Sequence, residues 1–205
     1  MSELSATKER IFDTFVEMVS TLGYENVTIR DIAKKIGINA ASIYYHFDSK
    51  DQILEYVYDY YAKYQYDTRK SVETMKEIIE TADATEFIVN LFYTFETDDI
   101  KKYTRMILIT KIIYMRLFQD PIANAMFTES NANNAEYVMT ILKHGIEINR
   151  LAADFDIETF SDVLIGSKII MGIRAFASSN YQVGQLDQEQ RILALLVQLF
   201  STAFK

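Results

Sequence analysis

Cysteine is absent from this 205-residue chain, which excludes disulfides, thiolate nucleophiles and cysteine-ligated zinc. Proline occurs once, at Pro121, and glycine six times, a scarcity that favours long uninterrupted helices. Long apolar runs are also missing. Segments 106–115 and 192–200 are broken by Lys111 and Gln198, well short of the ~20 residues that span a bilayer. The first residues lack a basic start followed by an apolar stretch, so the expectation is an unexported, cytoplasmic protein that does not touch the membrane. No Ser-His-Asp set, phosphate-binding glycine loop or paired carboxylates stand in a recognisable context, and no enzyme is expected. His144 and Glu147 lie three apart on one helical stretch, but a metal needs further ligands and none stands out, so neither metal nor cofactor is expected.

Positive charge is scarce as well. The net charge is −8, yet its distribution is uneven. Residues 1–50 hold six basic side chains (Lys8, Arg10, Arg30, Lys34, Lys35, Lys50) and seven acidic ones (Glu3, Glu9, Asp13, Glu17, Glu25, Asp31, Asp48), a net of −1. The other −7 therefore belongs to residues 51–205, an acidic body that repels a polyanion and orients the start of the chain toward it.

What is present in that start is a pattern of small and apolar residues over positions 28–50. Ile32, Ala33 and Ile36 form the inner face of one short helix, and Ile38, Ile43 and Phe47 continue the same core after a turn. Ala33 is small where two helices cross. Gly37 stands where the chain leaves a helix and positive φ is wanted. Thr28 with Asp31 three residues on reads as a capping box, Asn39 as the cap of the second helix, and Ser49 as the cap of a long third one. This is the spacing of a helix-turn-helix, whose second helix offers Ala40, Ala41, Ser42, Tyr44 and Tyr45 to base edges. Lys50 in the first turn after Ser49, together with free helix N–H groups, suits a backbone phosphate, and the polar tips of Tyr44 and His46 reach toward neighbouring ones.

Thr28-Ile29-Arg30-Asp31-Ile32-Ala33, Gly37-Ile38, Ser42-Ile43-Tyr44-Tyr45-His46-Phe47 and Lys50 follow one another in an order that resembles the N-terminal domain of the TetR family of bacterial transcriptional regulators. Upstream, Ile11, Phe12, Phe15, Val19 and Leu22, then Gly23-Tyr24 and Val27, look like that family's first helix and its exit. The candidate DNA-binding set is Thr28, Arg30, Asn39, Ala40, Ala41, Ser42, Tyr44, Tyr45, His46 and Lys50. The reading stretch 39–47 departs from many family members in having no Arg or Lys, which removes bidentate readout of guanine there and points to thymine methyls against Ala40 and Ala41.

The rest of the chain reads as roughly six more helices. A first helix over about 5–22 buries Ile11, Phe12, Phe15, Val19 and Leu22. The helix from Ser49 carries Ile53, Leu54, Val57, Tyr60, Tyr61 and Tyr64 and is read as continuing through Met75, Ile78 and Ile79. New caps are expected at Asp83 and at 97–99, with the latter leading a helix to Phe118. Asp120-Pro121 restarts the chain, and polar residues 129–134 are the weak point of the long helix begun there. A connector over 149–156 precedes a helix to about Ser178. A loop at 178–180 with Gly184 comes next, and Asp187 caps a last helix to about Phe204. The fold class is all-α: residues 1–48 form a three-helix helix-turn-helix domain, and 49–205 a larger helical ligand-binding and dimerisation domain.

That layout resembles the C-terminal half of the same family, in which the last two helices pair with their symmetry mates and the middle helices enclose a ligand. The residues agree with a homodimer, because Val163, Leu164, Ile165, Ile169, Ile170, Ile173 and Phe176, with Leu193, Leu195, Leu196, Leu199 and Phe200, make two helices apolar around much of their girth. For the ligand, the candidates are Tyr61, Tyr64, Phe87, Phe95, Met106, Tyr114, Phe118, Met126 and Tyr137, since aromatic and methionine side chains line adaptable apolar sites. A cationic aromatic and an acyl ligand fit that composition equally well. The function implied is a ligand-responsive regulator, a repressor that binds a palindromic double-stranded DNA operator as a dimer and is released by a small molecule. Two rivals have other logic: an architectural DNA-binding protein with no ligand, and a protein-interaction module whose head has lost DNA binding.

Overall fold

Side-chain caps set most of the helix starts. The computed structural model describes residues 6–67, 69–93, 99–177 and 187–205. Within them the helices are α1 Ala6–Leu22, α2 Ile29–Ile36, α3 Ala40–Tyr44, α4 Lys50–Tyr64, α5 Val72–Thr81, α6 Ala84–Phe92, α7 Ile100–Arg116, α8 Pro121–Glu147, α9 Ile157–Ala177 and α10 Asp187–Ser201, with a single 3-10 turn at Tyr24–Asn26. Thr28, Asn39, Ser49, Ser71, Asp83 and Asp99 each accept a backbone N–H at the head of the helix they precede, satisfying a donor that has no partner inside the helix. Asp156 does the same for α9 through the Thr159 N–H at 3.0 Å. No strand ladder forms among the described residues, and Leu151 and Phe204 make an isolated antiparallel bridge.

Several expectations change. The helix from Ser49 stops at Tyr64, and Met75, Ile78 and Ile79 belong to a separate α5, because the polar stretch before it offers Ser71 as a new cap. The weak point at 129–134 does not break α8, which runs unbroken for 27 residues. Within it Ser130 is buried, and Asn134 accepts a hydrogen bond from Arg69 at 3.1 Å, so polar residues there are used rather than wasted. Leu22 is 51% exposed instead of buried, since it closes α1 just before the chain turns at Gly23. Helix α7 ends at Arg116 and α10 at Ser201, and seven helices rather than about six follow the first three among the described residues. The loop read at 178–180 and Gly184, and the side chain of the Asp187 cap, lie outside the described residues.

The chain divides into two compact units. The first is made of Met1–Asp67 with Thr97–Phe127, and the expected boundary at 48/49 falls inside it. Its core joins Ile11, Phe12, Phe15 and Val19 of α1 to Ile32 and Ala33 of α2, Ile43, Phe47, then Ile53 and Val57 of α4 and Ile109, Ile112 and Ile113 of α7. Around it Arg105 of α7 holds Glu9 at 2.9 Å and Asp13 at 2.6 Å, both on α1, and Lys101 adds to the pair. These partners hold the Glu9 carboxyl below its ordinary range, the hydrogen bond from Lys101 contributing most.

The second unit, Thr68–Glu96 with Thr128–Lys205, packs Met75 and Ile79 of α5, Phe87, Ile88 and Leu91 of α6, Ile141 and Leu142 of α8, Phe160 and Leu164 of α9, and Leu196 and Phe200 of α10. Rings carry much of it. Phe87 stacks on Phe200 at 5.1 Å, and Phe155 and Phe160 meet Phe200 at 5.8 and 5.5 Å. Gly145 lets α8 come close here, as a Cβ on it would fall 2.5 Å from Ile79.

Candidate nucleic-acid interface

Local sequence builds the reading head. The capping box at Thr28 is complete: the Asp31 N–H donates to the Thr28 hydroxyl at 3.2 Å, and the Thr28 N–H to the Asp31 carboxylate at 3.0 Å. Those hydrogen bonds, led by the Thr28 hydroxyl, hold the Asp31 carboxyl below its usual range. Helix α2 ends at Gly37 with φ 73° and ψ 34°, the left-handed conformation that suits a residue without Cβ. The chain then turns into Asn39, whose side chain accepts from the Ser42 N–H at 2.8 Å and the Ser42 hydroxyl at 3.0 Å. Ile43 is fully buried under α3 and Phe47 nearly so, which fixes the roll of that short helix and decides what faces outward.

What faces outward is Ala41, Tyr44 at 53% and Tyr45 at 87% exposed, with Ser42 and His46 half-buried. The ring of Tyr45 meets that of His46 edge to face at 5.1 Å. Ala40 is different. It packs against the head core, so Ala41 offers the more open methyl of the two. Thr28 and Asn39, both candidate DNA contacts, are exposed yet committed to capping.

The basic residues are mostly engaged. Lys35 pairs with Glu17 at 2.7 Å, Arg10 donates to the Ile36 carbonyl at 2.8 Å, and the Lys8 ammonium lies 4.9 Å from the Phe47 ring centre. Lys50, expected to reach for phosphate, donates to the Tyr24 carbonyl at 3.0 Å and covers the Tyr24 ring at 3.8 Å. Arg30 and Lys34 are exposed and make no ion pair among the described residues. Sequence reasoning did not single out Lys34. Its place in the last exposed turn of α2, ahead of Gly37, is the signal that marks it.

A second group missed from sequence surrounds Tyr24. The Arg116 guanidinium lies 4.4 Å from the Tyr24 ring centre and donates to the Tyr58 hydroxyl at 3.1 Å and to Asp120 at 3.0 Å. Tyr24 in turn donates its hydroxyl to Asp51. Burial first, then the Asp51 hydrogen bond, raise the Tyr24 hydroxyl above its ordinary value. Residues from α1's exit, the start of α4 and the end of α7 thus meet at one ring.

The candidate ligand residues divide between the units. Tyr61 and Met106 are buried in the first core, with Tyr64 and Met126 packed against it. Tyr114 sits beside Phe127 at 5.4 Å, and burial, with Tyr61 nearby, pushes its hydroxyl up to about 12. Phe87 and Tyr137 belong to the second core, where Tyr137 donates to the Lys70 carbonyl at 2.9 Å. Phe118 is 93% exposed and lines no interior of its unit, because α7 has already ended and the chain is turning toward Pro121. Phe95 lies outside the described residues. His144 pairs with Glu80 at 2.8 Å, and no group of three metal-ligating side chains occurs among the described residues. No described helix is long and apolar enough to cross a membrane.

Residues 11–57 match the family profile described as bacterial regulatory proteins, tetR family. Over 48 residues the chain is 48% identical to the biofilm operon icaADBC HTH-type negative transcriptional regulator IcaR of Staphylococcus aureus strain Newman, a match covering 23% of this chain and 26% of that protein. The chain therefore spans about a quarter of the length of such curated relatives. Likeness of fold extends much further. A TetR-family regulator from Cytophaga hutchinsonii superposes with a TM-score of 0.66 at 15% identity, over 99% of this chain and 98% of the other. The ketosteroid regulator KstR2 of Mycobacterium tuberculosis gives 0.58 at 18% identity, over 99% and 97%.

Proposed function

We propose that this chain, a TetR-family regulator by its head and its helical architecture, represses transcription by binding a palindromic operator as a homodimer and is released by a small molecule. The observation that carries the reading is the turn at Gly37, φ 73°, between two capped helices, which leaves Ala41, Tyr44 and Tyr45 exposed above the buried Ile43. That is how a recognition helix is presented to a major groove. The name of the S. aureus relative, a negative regulator, supports the sign of the effect.

Dimerisation is supported by α9 and α10. Val163, Ile170 and Ile173 on one, and Leu195 and Leu199 on the other, are 42–52% exposed, a set of large apolar side chains that a monomer leaves in water. A twofold dimer pairs such a face with its own copy and sets two heads about 34–36 Å apart, one turn of DNA. Contacts to phosphate fall to Arg30, Lys34 and Lys50, and base contacts to Ala41, Ser42, Tyr44 and Tyr45.

An effector releases the operator only by binding the non-DNA conformation more tightly, and DNA then weakens effector binding by the same factor. Mobility shift and footprinting with the DNA upstream of the chain's own gene test the reading. A protected two-half-site palindrome is expected. Absence of any shift at low salt would leave the protein-interaction rival in its place, and a shift that no small molecule relieves would favour the architectural one.

A further inference from the structure

The core of the head settles which sides of α3 face outward. Ile43 is fully buried and Ala40 packs against the head core, while Ala41, Tyr44 and Tyr45 are exposed. At about 100° per residue, Ser42 falls at the edge of that exposed arc, beside Tyr45 and turned away from Ile43, and it is half-buried.

The Ser42 hydroxyl has a fixed polarity. One side-chain atom of Asn39 accepts from both the Ser42 N–H, at 2.8 Å, and the Ser42 hydroxyl, at 3.0 Å. A backbone N–H only donates, so that atom is the amide oxygen, and a hydroxyl facing the same oxygen must donate as well. The proton is therefore spent inside the cap, and the hydroxyl makes no other hydrogen bond among the described residues. What Ser42 offers outward is an acceptor with no donor.

Such an acceptor tells the groups of a DNA groove apart. Phosphate oxygens and the keto oxygens of guanine and thymine only accept, and they meet it unfavourably. The exocyclic amines, N6 of adenine and N4 of cytosine, donate. Turning the proton toward a keto oxygen or a phosphate gives up the bond to Asn39, so that contact returns no more than it takes, whereas an amine adds a bond and costs none.

We infer that Ser42 reads an exocyclic amine at one position of each operator half-site, favouring adenine or cytosine there over guanine or thymine, and makes no phosphate contact. This rests on the reading of α3 as the helix that enters the major groove. The contact belongs to the side-chain oxygen, and the backbone N–H groups at the start of α3 take no part in it.

Selection of duplexes from a random pool by the full chain and by Ser42→Ala tests the assignment. The variant keeps the backbone N–H that Asn39 caps, and circular dichroism checks that it stays helical. The wild-type chain should prefer adenine or cytosine about fivefold at one position per half-site, and Ser42→Ala should lose that preference while keeping the others. On the selected duplex, purine in place of adenine, or 2-pyrimidinone in place of cytosine, removes the amine. At that position the analogue should weaken the wild-type chain about fivefold and leave Ser42→Ala unchanged, and which analogue acts tells the two bases apart. Asn39→Asp keeps the accepting oxygen and should keep the preference, even as its added charge weakens all binding. A Ser42→Ala chain that selects the same sequences as wild type, loses affinity equally for every sequence, or relaxes a position where wild type favours guanine or thymine overturns the inference. If Ser42→Ala does not fold, the analogues decide on the wild-type chain: binding that is insensitive to loss of the amine at every position overturns it. A wild-type chain that binds no duplex at low salt removes the repressor function and this contact with it. Binding without dependence on an amine removes this contact alone.

Discussion

The Lys50 ammonium lies 3.8 Å from the centre of the Tyr24 ring and donates to the carbonyl of the same residue at 3.0 Å. Arg116 uses that ring too, at 4.4 Å, so one aromatic side chain joins the exit of α1, the first turn of α4 and the last turn of α7. A lysine that sequence alone assigns to phosphate is thereby also a fastener of the head.

Tyr24→Leu removes the face both cations use, and unfolding in urea should show a loss of about 2 kcal/mol. Tyr24→Phe keeps the face and gives up the hydrogen bond to Asp51, at a cost of about 1 kcal/mol. Equal stability of all three proteins would mean the ring contributes nothing.

Lys34→Ala and Lys50→Ala should separate contact from structure. Each makes the salt dependence of operator binding shallower by about 1 and weakens specific and random DNA alike. Only Lys50→Ala should also lower the melting temperature, because Lys34 makes no ion pair to lose among the described residues. Binding at low salt that is unchanged in Lys50→Ala removes it from the interface.

Gly37→Ala isolates the cost of a backbone conformation. A Cβ there meets nothing within 4 Å, so the penalty is that of positive φ alone, about 1 kcal/mol. Thermal melts of Gly37→Ala and Gly37→Asn check this, with asparagine expected to cost less. A stabilised alanine variant would contradict the left-handed turn.

Stability should vary with pH in two opposite steps. Lys168 titrates near 8 in the folded chain against 10.5 as the ordinary value, so from pH 8 upward the unfolded chain binds more protons and stability rises. Burial, the main cause in each, lifts the hydroxyls of Tyr114 and Tyr137 to about 12 from 10, so above pH 10 the folded chain binds more and stability falls. Denaturant midpoints should therefore climb between pH 8 and 10 and decline beyond. Lys168→Met should flatten the climb and leave the decline; a climb of full size in that variant assigns it to another group.

Ile173→Asp places a charge on the exposed apolar face of α9, where the side chain is 48% exposed in the single chain. Sedimentation should show a dimer become a monomer while the helical circular dichroism persists. A variant that stays dimeric moves the interface elsewhere.

The head was legible in the sequence because its signals act over three or four residues. Thr28 with Asp31, Asn39 with Ser42 and Ser49 with Gln52 are caps whose partners lie within one turn, and Gly37 answers a local demand on φ. Where the local pattern was ambiguous, packing decided. The polar stretch at 129–134 looked like a break, yet it stays helical in α8, and the apolar pattern after Tyr64 looked continuous, yet Ser71 begins a new helix.

By itself, then, the sequence determined the all-helical class, the turn at Gly37 and the row Ala41, Ser42, Tyr44 and Tyr45 beyond it, since caps, apolar period and backbone preference are properties of neighbouring residues. Only the tertiary structure decided what the cations do. Lys50 meets Tyr24 across 26 positions, and Arg105 meets Glu9 and Asp13 across a far longer stretch of chain. No local rule encodes such pairs: each exists because buried faces of distant helices pack in one arrangement and carry their charged neighbours with them.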